Sequence, residues 1–236
     1  MMPVSGRDFS LDTYAALLDA IVDKYPLIPR FREWFALATP PEQFCILRHD
    51  VDRKPRNSLA MARLEAGRKV RACYYFRVPH TFNVDVIREI ESLGHEIGYH
   101  YENLSTCNGQ MDKALDDFRR NLATLRGIAR IDTVCMHGSP LSPHTNSDLW
   151  VHIAGNTQLR SELALAGDAQ LDMDFADIAY LTDTGRSWRP GRANLRDRVD
   201  SGVLIDVAST RELHQYLRTA PPSKAGHSNP SRALVR

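Results

Sequence analysis

Apolar residues recur at helical spacing from the first tens of the chain. Tyr14, Leu17, Leu18 and Ile21 share one face of a helix predicted over 9–24, with Ser10 as its N-cap. Phe31 to Ala38 reads as a second, short aromatic helix closed by Pro40 and Pro41. Residues 9–43 therefore form a helical lead-in that covers whatever follows. The pattern then changes period. Phe44-Cys45-Ile46-Leu47 is a buried strand running into Arg48-His49-Asp50-Val51-Asp52, and a helix follows over 57–68 with Leu59, Ala62 and Ala66 on one stripe and Gly67 near its end. The same alternation repeats as a strand at 70–76, a helix at 84–93 stopped by Gly94, a strand at 95–101, a helix at 110–126 and a strand at 131–136. Repeated strand-then-helix units predict an α/β fold with a mostly parallel sheet, open or closed, and this length suits a single domain spanning 1–236. Beyond residue 140 the periodicity weakens. Strands are expected near 178–182 and 203–207 and a helix over 210–218, while 219–236, basic and Pro- and Ser-containing, reads as a tail.

Period-2 alternation assigns faces inside the first strand. Asp50 and Asp52 point the same way, and Val51 points back into packing. Two carboxylates on one face repel each other, and a bound metal ion or a shared proton relieves the repulsion. Arg77 ends the second strand, His100 and Glu102 the third and His137 the fourth, so each of the first strands delivers an ionisable group to its carboxyl end. In parallel α/β folds that end forms the functional face. His and carboxylate donors on such a rim suit a divalent ion, Zn²⁺ foremost, with a position left open for water, which points to metal-assisted hydrolysis. His95 lies at the opposite end of its strand and reads as structural. Trp150 and Trp188 are candidates either for stacking on a sugar ring or for burial.

Charge and composition mainly exclude. A net charge of +1 carries no bias toward nucleic acid or an anionic membrane surface. No apolar stretch approaches the roughly 20 residues that span a bilayer, and Met1 to Ser10 lacks the pattern of a signal peptide. Cys45, Cys73, Cys107 and Cys135 are scattered with no C-x-x-C pair, and three of them lie in apolar strand-like runs; a reduced, cytoplasmic setting is expected.

Arg48-His49-Asp50-Val51-Asp52 with Pro55, Tyr74-Tyr75-Phe76-Arg77 and Gly94-His95-Glu96-Ile97-Gly98-Tyr99-His100 together resemble the polysaccharide deacetylases with a NodB-homology domain. The segment Cys135-Met136-His137-Gly138-Ser139-Pro140-Leu141-Ser142, with Asn146 and Asp148-Leu149-Trp150, is similar to a divergent, WbmS-like branch linked to surface-polysaccharide (O-antigen, capsule or lipopolysaccharide) synthesis. The resemblance covers about 9–217 and is strongest over 46–150. It implies a distorted (β/α) barrel and a Zn²⁺-dependent hydrolase of carbon–nitrogen bonds that removes acetyl groups from an N-acetylated sugar. By motif, Asp50 would be the general base, Asp52 a metal ligand and His100 the first histidine ligand, with Arg77 positioning a carboxylate or substrate.

Three departures follow from the same match. The commoner first motif has adjacent aspartates, whereas Val51 separates Asp50 from Asp52 here. The family's second ligand histidine falls on Leu104, so His137 is the preferred third ligand and Glu102, a possible metal or substrate residue, the second choice. The last-strand histidine that acts as acid has Asp206 on the expected strand, and His227, further on, is the catalytic candidate. Leu104 also motivates rival readings: a carbohydrate-binding or scaffold protein that lost its chemistry, or another amidohydrolase on the same fold.

Overall fold

The computed structural model describes residues 7–183, 186–189, 199–219 and 231–236. Its elements run α1 (Leu11–Lys24), α2 (Phe31–Trp34), β1 (Phe44–Val51), α3 (Pro55–Ala66), β2 (Cys73–Phe76), α4 (Val84–Ser92), β3 (Glu96–Tyr101), α5 (Asn103–Thr106), α6 (Met111–Arg126), β4 (Ile131–Met136), α7 (Ser147–Ala154), α8 (Thr157–Leu163), β5 (Gly167–Asp168), β6 (Ala179–Leu181), α9 (Thr210–Thr219) and β7 (Arg232–Val235). Seven strands in the order β5-β4-β3-β2-β1-β7-β6 pair in parallel throughout, and the sheet curls into a half-barrel wrapped by helices, a distorted (β/α) barrel.

Alternation along the strands sorts side chains into two layers. Cys45, Leu47, Val51, Tyr74, Phe76, Tyr99 and Val134 face outward and pack against Leu17 and Leu18 of α1, Ala62 of α3, Ile87 and Ile90 of α4 and Phe118 of α6. Phe44, Ile46, Cys73, Tyr75, Cys135 and Leu234 face the concave interior, which Phe31 of α2 and Ala169, Met173, Phe175 and Ile178 complete. Tyr75 lies across β3 opposite Gly98, where any Cβ would sit 2.2 Å from its ring, so the Gly98 position is sterically reserved. At the amino-terminal end of β3, Glu96 accepts from Thr133 and from the Arg32 backbone N–H (2.8 Å), which ties α2 to the sheet.

His49 and His95 are fixed on the helix-facing side. Glu65 of α3, fully buried, receives the Tyr74 hydroxyl (2.6 Å), the Tyr14 hydroxyl and His49 Nε2 (2.7 Å). His95 accepts the Ala72 N–H at Nδ1 (3.0 Å) and donates from Nε2 to the Ala62 carbonyl (3.0 Å), which ties α3 to the strands; it is structural.

Several elements differ from expectation. The second helix stops at Trp34 rather than Ala38. No strand forms over 203–207, where Leu204 is exposed and the Ser201 hydroxyl fastens the segment to the Ile178 and Val203 carbonyls as a loop. Short elements α5, α7, α8 and β5 fall where periodicity gave nothing. The largest correction concerns the end of the chain. Residues 232–235 are not a tail: β7 inserts between β1 and β6, pairing Phe44 with Arg232 and Leu47 with Val235, and Ala179 with Ala233. His227 lies outside the described residues.

Candidate metal centre

Parallel strands place all their carboxyl ends on one rim, and β1, β3 and β4 bring Asp52, His100 and His137 together there. Asp52 Oδ1 is 3.4 Å from His100 Nε2 and 3.2 Å from His137 Nδ1, and the three donor atoms lie within 4.8 Å of one another. Zinc bonds of about 2.0–2.1 Å at tetrahedral angles set neighbouring donors about 3.3 Å apart. The tautomer of His100 suits that use. His100 donates Nδ1–H to the Cys135 carbonyl (2.9 Å), which turns the Nε2 lone pair toward Asp52. His100 Nε2 and Asp52 Oδ1 are both buried without a hydrogen-bond partner, the condition that a bound cation relieves. Burial raises the carboxyl of Asp52, but the adjacent imidazoles of His100 and His137 outweigh it and hold the group far below the usual range.

A second set of donors, Asp50, His100 and Cys135, also converges. It is the poorer cation site. Burial, and Asp50 beside it, push the Cys135 thiol well up, and Asp50 is already matched by two guanidinium groups: Arg236 Nη2 at 2.7 Å from Oδ2 and Arg48 Nε at 3.4 Å from Oδ1. A metal ion between them would add positive charge to positive charge. Burial raises the Asp50 carboxyl, yet Arg236 and then Arg48 dominate and keep it ionised and below its ordinary range. His100 Nε2 lies 3.8 Å from Asp50 Oδ2, so the charged, buried Asp50 adjoins the donors while held apart from them.

Glu102 is not placed to bind a metal. Both its oxygens are taken by Arg77 in a forked pair, Nε to Oε1 at 2.9 Å and Nη2 to Oε2 at 2.8 Å. His80 Nε2 at 3.5 Å and His137 Nε2 at 4.0 Å complete its surroundings. Arg77 accordingly pairs with Glu102 rather than with Asp50, and its Nη1 reaches the Asp52 carbonyl at 3.4 Å. It braces the rim from the side of β2. Asp206 is exposed and faces Arg189. Trp150 is buried with Nε1 on Asp172, which settles it as packing. Trp188 stacks on Phe9 and helps wall a cavity of about 360 Å³ on the helix side of β1, reached also by Arg236.

Two residues beside Asp50 were not singled out in the sequence. Arg48 was legible by parity, since it lies two residues before Asp50 on the same face; it is fully buried and donates to the Tyr180 hydroxyl at 2.8 Å. Arg236 had no signal, because the strand that delivers it was read as a tail. Leu104, where the resemblance expects a histidine, is 4% exposed and packs in the outer core.

No family model, curated protein or solved structure matches this chain. Among the described residues no helix is long and apolar enough to cross a membrane.

Proposed function

We propose that this chain is a metal-dependent deacetylase of the polysaccharide deacetylase type, acting on an N-acetylated sugar in surface-polysaccharide biosynthesis. The convergence of Asp52, His100 and His137, with each imidazole nitrogen 3.2–3.4 Å from Asp52 Oδ1, beside a buried ionised carboxylate, is the observation that carries the reading. Asp52 Oδ1, His100 Nε2 and His137 Nδ1 would hold the ion, Zn²⁺ by donor type. Bound there, it would polarise the acetyl carbonyl and lower the pKa of water. Asp50, kept ionised by Arg236 and Arg48, is the group able to take the proton from the attacking water. The Cys135 carbonyl fixes the His100 ring, and Arg77 holds Glu102 as a charged wall beside His137. His137 would supply the donor that Leu104 lacks, which supports the hydrolase reading over an inactive sugar-binding protein. Cytoplasmic residence, on a nucleotide- or lipid-linked precursor, is part of the same proposal; four free cysteines, three of them buried, support a reducing setting.

Metal content decides it. Wild type loaded with zinc and desalted should retain one equivalent and release acetate from at least one N-acetylated sugar of a panel, and Asp52→Ala and His100→Ala should lose both properties. Wild type without stoichiometric metal would falsify the hydrolase reading. Sugar binding with no acetate release from metal-loaded protein would favour the binding-protein alternative.

A further inference from the structure

Asn146 stands at the N-cap of α7, a place where an asparagine side chain ordinarily accepts a backbone N–H of the first turn, yet it makes no such bond. It is 1% exposed and turned the other way. Its Nδ2 donates to the His137 carbonyl at 2.7 Å and to Ser139 Oγ at 3.1 Å, and its Oδ1 accepts the Ser105 N–H at 2.9 Å. A single amide thus joins the exit of β4 to the segment just beyond β3. The same connection is also tied by Ser105 Oγ, which donates to the His144 carbonyl at 3.2 Å. Leu141 at the tip is 99% exposed, so no apolar anchor holds the tip, and Ser139 sits at φ 42°, in the left-handed region. The His137 N–H is held separately by the Tyr101 carbonyl at 2.8 Å. Both backbone groups of His137 are therefore tied to β3 or the residues following it, the strand that carries His100.

We propose that Asn146 is a positioning residue for the metal centre: by clamping the His137 carbonyl to the Ser105 amide it fixes where His137 Nδ1 lies relative to His100 Nε2. The proposal rests on the reading of Asp52, His100 and His137 as a metal site. Without the clamp, the backbone of His137 keeps one anchor, its ring acquires freedom about the β4 exit, and the ion loses one well-placed donor while Asp52 and His100 stay in place.

A double-mutant cycle tests it on the full chain, with zinc affinity measured by competition against a chromophoric chelator and the thermal midpoint of metal-free protein recorded for every variant. Asn146→Ala should weaken zinc binding about tenfold at unchanged stoichiometry. In a His137→Ala background the same change should add less than about twofold, and the visible spectrum of cobalt-loaded Asn146→Ala should shift toward that of His137→Ala. An equal loss in both backgrounds would show general loosening and overturn the proposal, as would no loss in either. Should Asn146→Ala fail to fold, Asn146→Asp keeps the acceptor for Ser105, removes the donor to His137, and carries the same comparison. Failure of wild type to bind zinc overturns the metal reading and this proposal together. Wild-type affinity in His137→Ala overturns the role of His137, and hence this proposal, while sparing Asp52 and His100.

Discussion

Two aspartates with buried side chains show how surroundings push the same carboxyl in opposite directions. Asp50 has Arg236 and Arg48 beside it, and their attraction exceeds the cost of burial, so it is ionised. Asp168, at the end of β5, accepts the backbone N–H groups of Gln170 (2.8 Å) and Leu171 (2.9 Å) at Oδ1 and has the Tyr101 hydroxyl and Arg48 in its surroundings, yet burial outweighs them and pushes its carboxyl up to about 6 from an ordinary 3.8. A carboxyl whose pKa is raised on folding favours the fold while protonated. Its contribution is complete below the unfolded value and declines as pH rises from about 4 to about 6. Asp168→Asn, which keeps the Oδ1 acceptor, should therefore gain on wild type by up to about 3 kcal/mol between pH 4 and pH 6, with no further change above that. Urea unfolding of both proteins across pH 4–8 measures the difference, and a difference independent of pH would refute it.

At the scale of elements, β7 decides most. Four residues insert between β1 and β6, with Ala233 and Val235 in the outer core and Leu234 in the interior, and the next residue, Arg236, ends on Asp50. Removing residues 231–236 would expose the edge of β1 and strip Asp50 of its nearer cation, so the truncated chain should lose cooperative unfolding. Arg236→Ala keeps the strand and removes one partner of a buried pair. Arg48 remains, so a loss of about 2–3 kcal/mol is expected, somewhat under the range for fully orphaned buried charges. A true tail would have given changes within about 0.5 kcal/mol for either alteration, and denaturant titration separates the two outcomes.

For the molecule as a whole, the parallel half-barrel is what gathers Asp52, His100 and His137, 37 to 85 positions apart in the chain. Asp52 follows β1, His100 lies in β3 and His137 follows β4, so an ion bound among them would link the three strands across the rim. Because such a site exists only in the folded state, zinc at about 100 times its dissociation constant should add about 2.7 kcal/mol and raise the thermal midpoint by roughly 5–10 °C. Chelator should reverse the shift and Asp52→Ala abolish it; scanning fluorimetry with and without zinc reads this directly. A midpoint indifferent to zinc would count against the site.

The sequence by itself determined the parity of β1, hence Asp50 and Asp52 on one face and Val51 on the other, and the strand–helix rhythm from 44 to 136 that fixes the parallel sheet and its functional rim. Those features are local: a period of 2 or 3.6 and a turn residue suffice to read them. Only the tertiary structure decided that Glu102 is committed to Arg77, that His137 rather than Glu102 joins Asp52 and His100, and that Asp50 is held between Arg48 and Arg236. The pairing of Phe44 with Arg232 joins segments far apart in the chain, and a strand of four residues carries too short a pattern to announce itself. Its partners, and with them the charge state of Asp50, follow from the closing of the sheet, because pairing and ion contacts depend on which strand ends become neighbours in space.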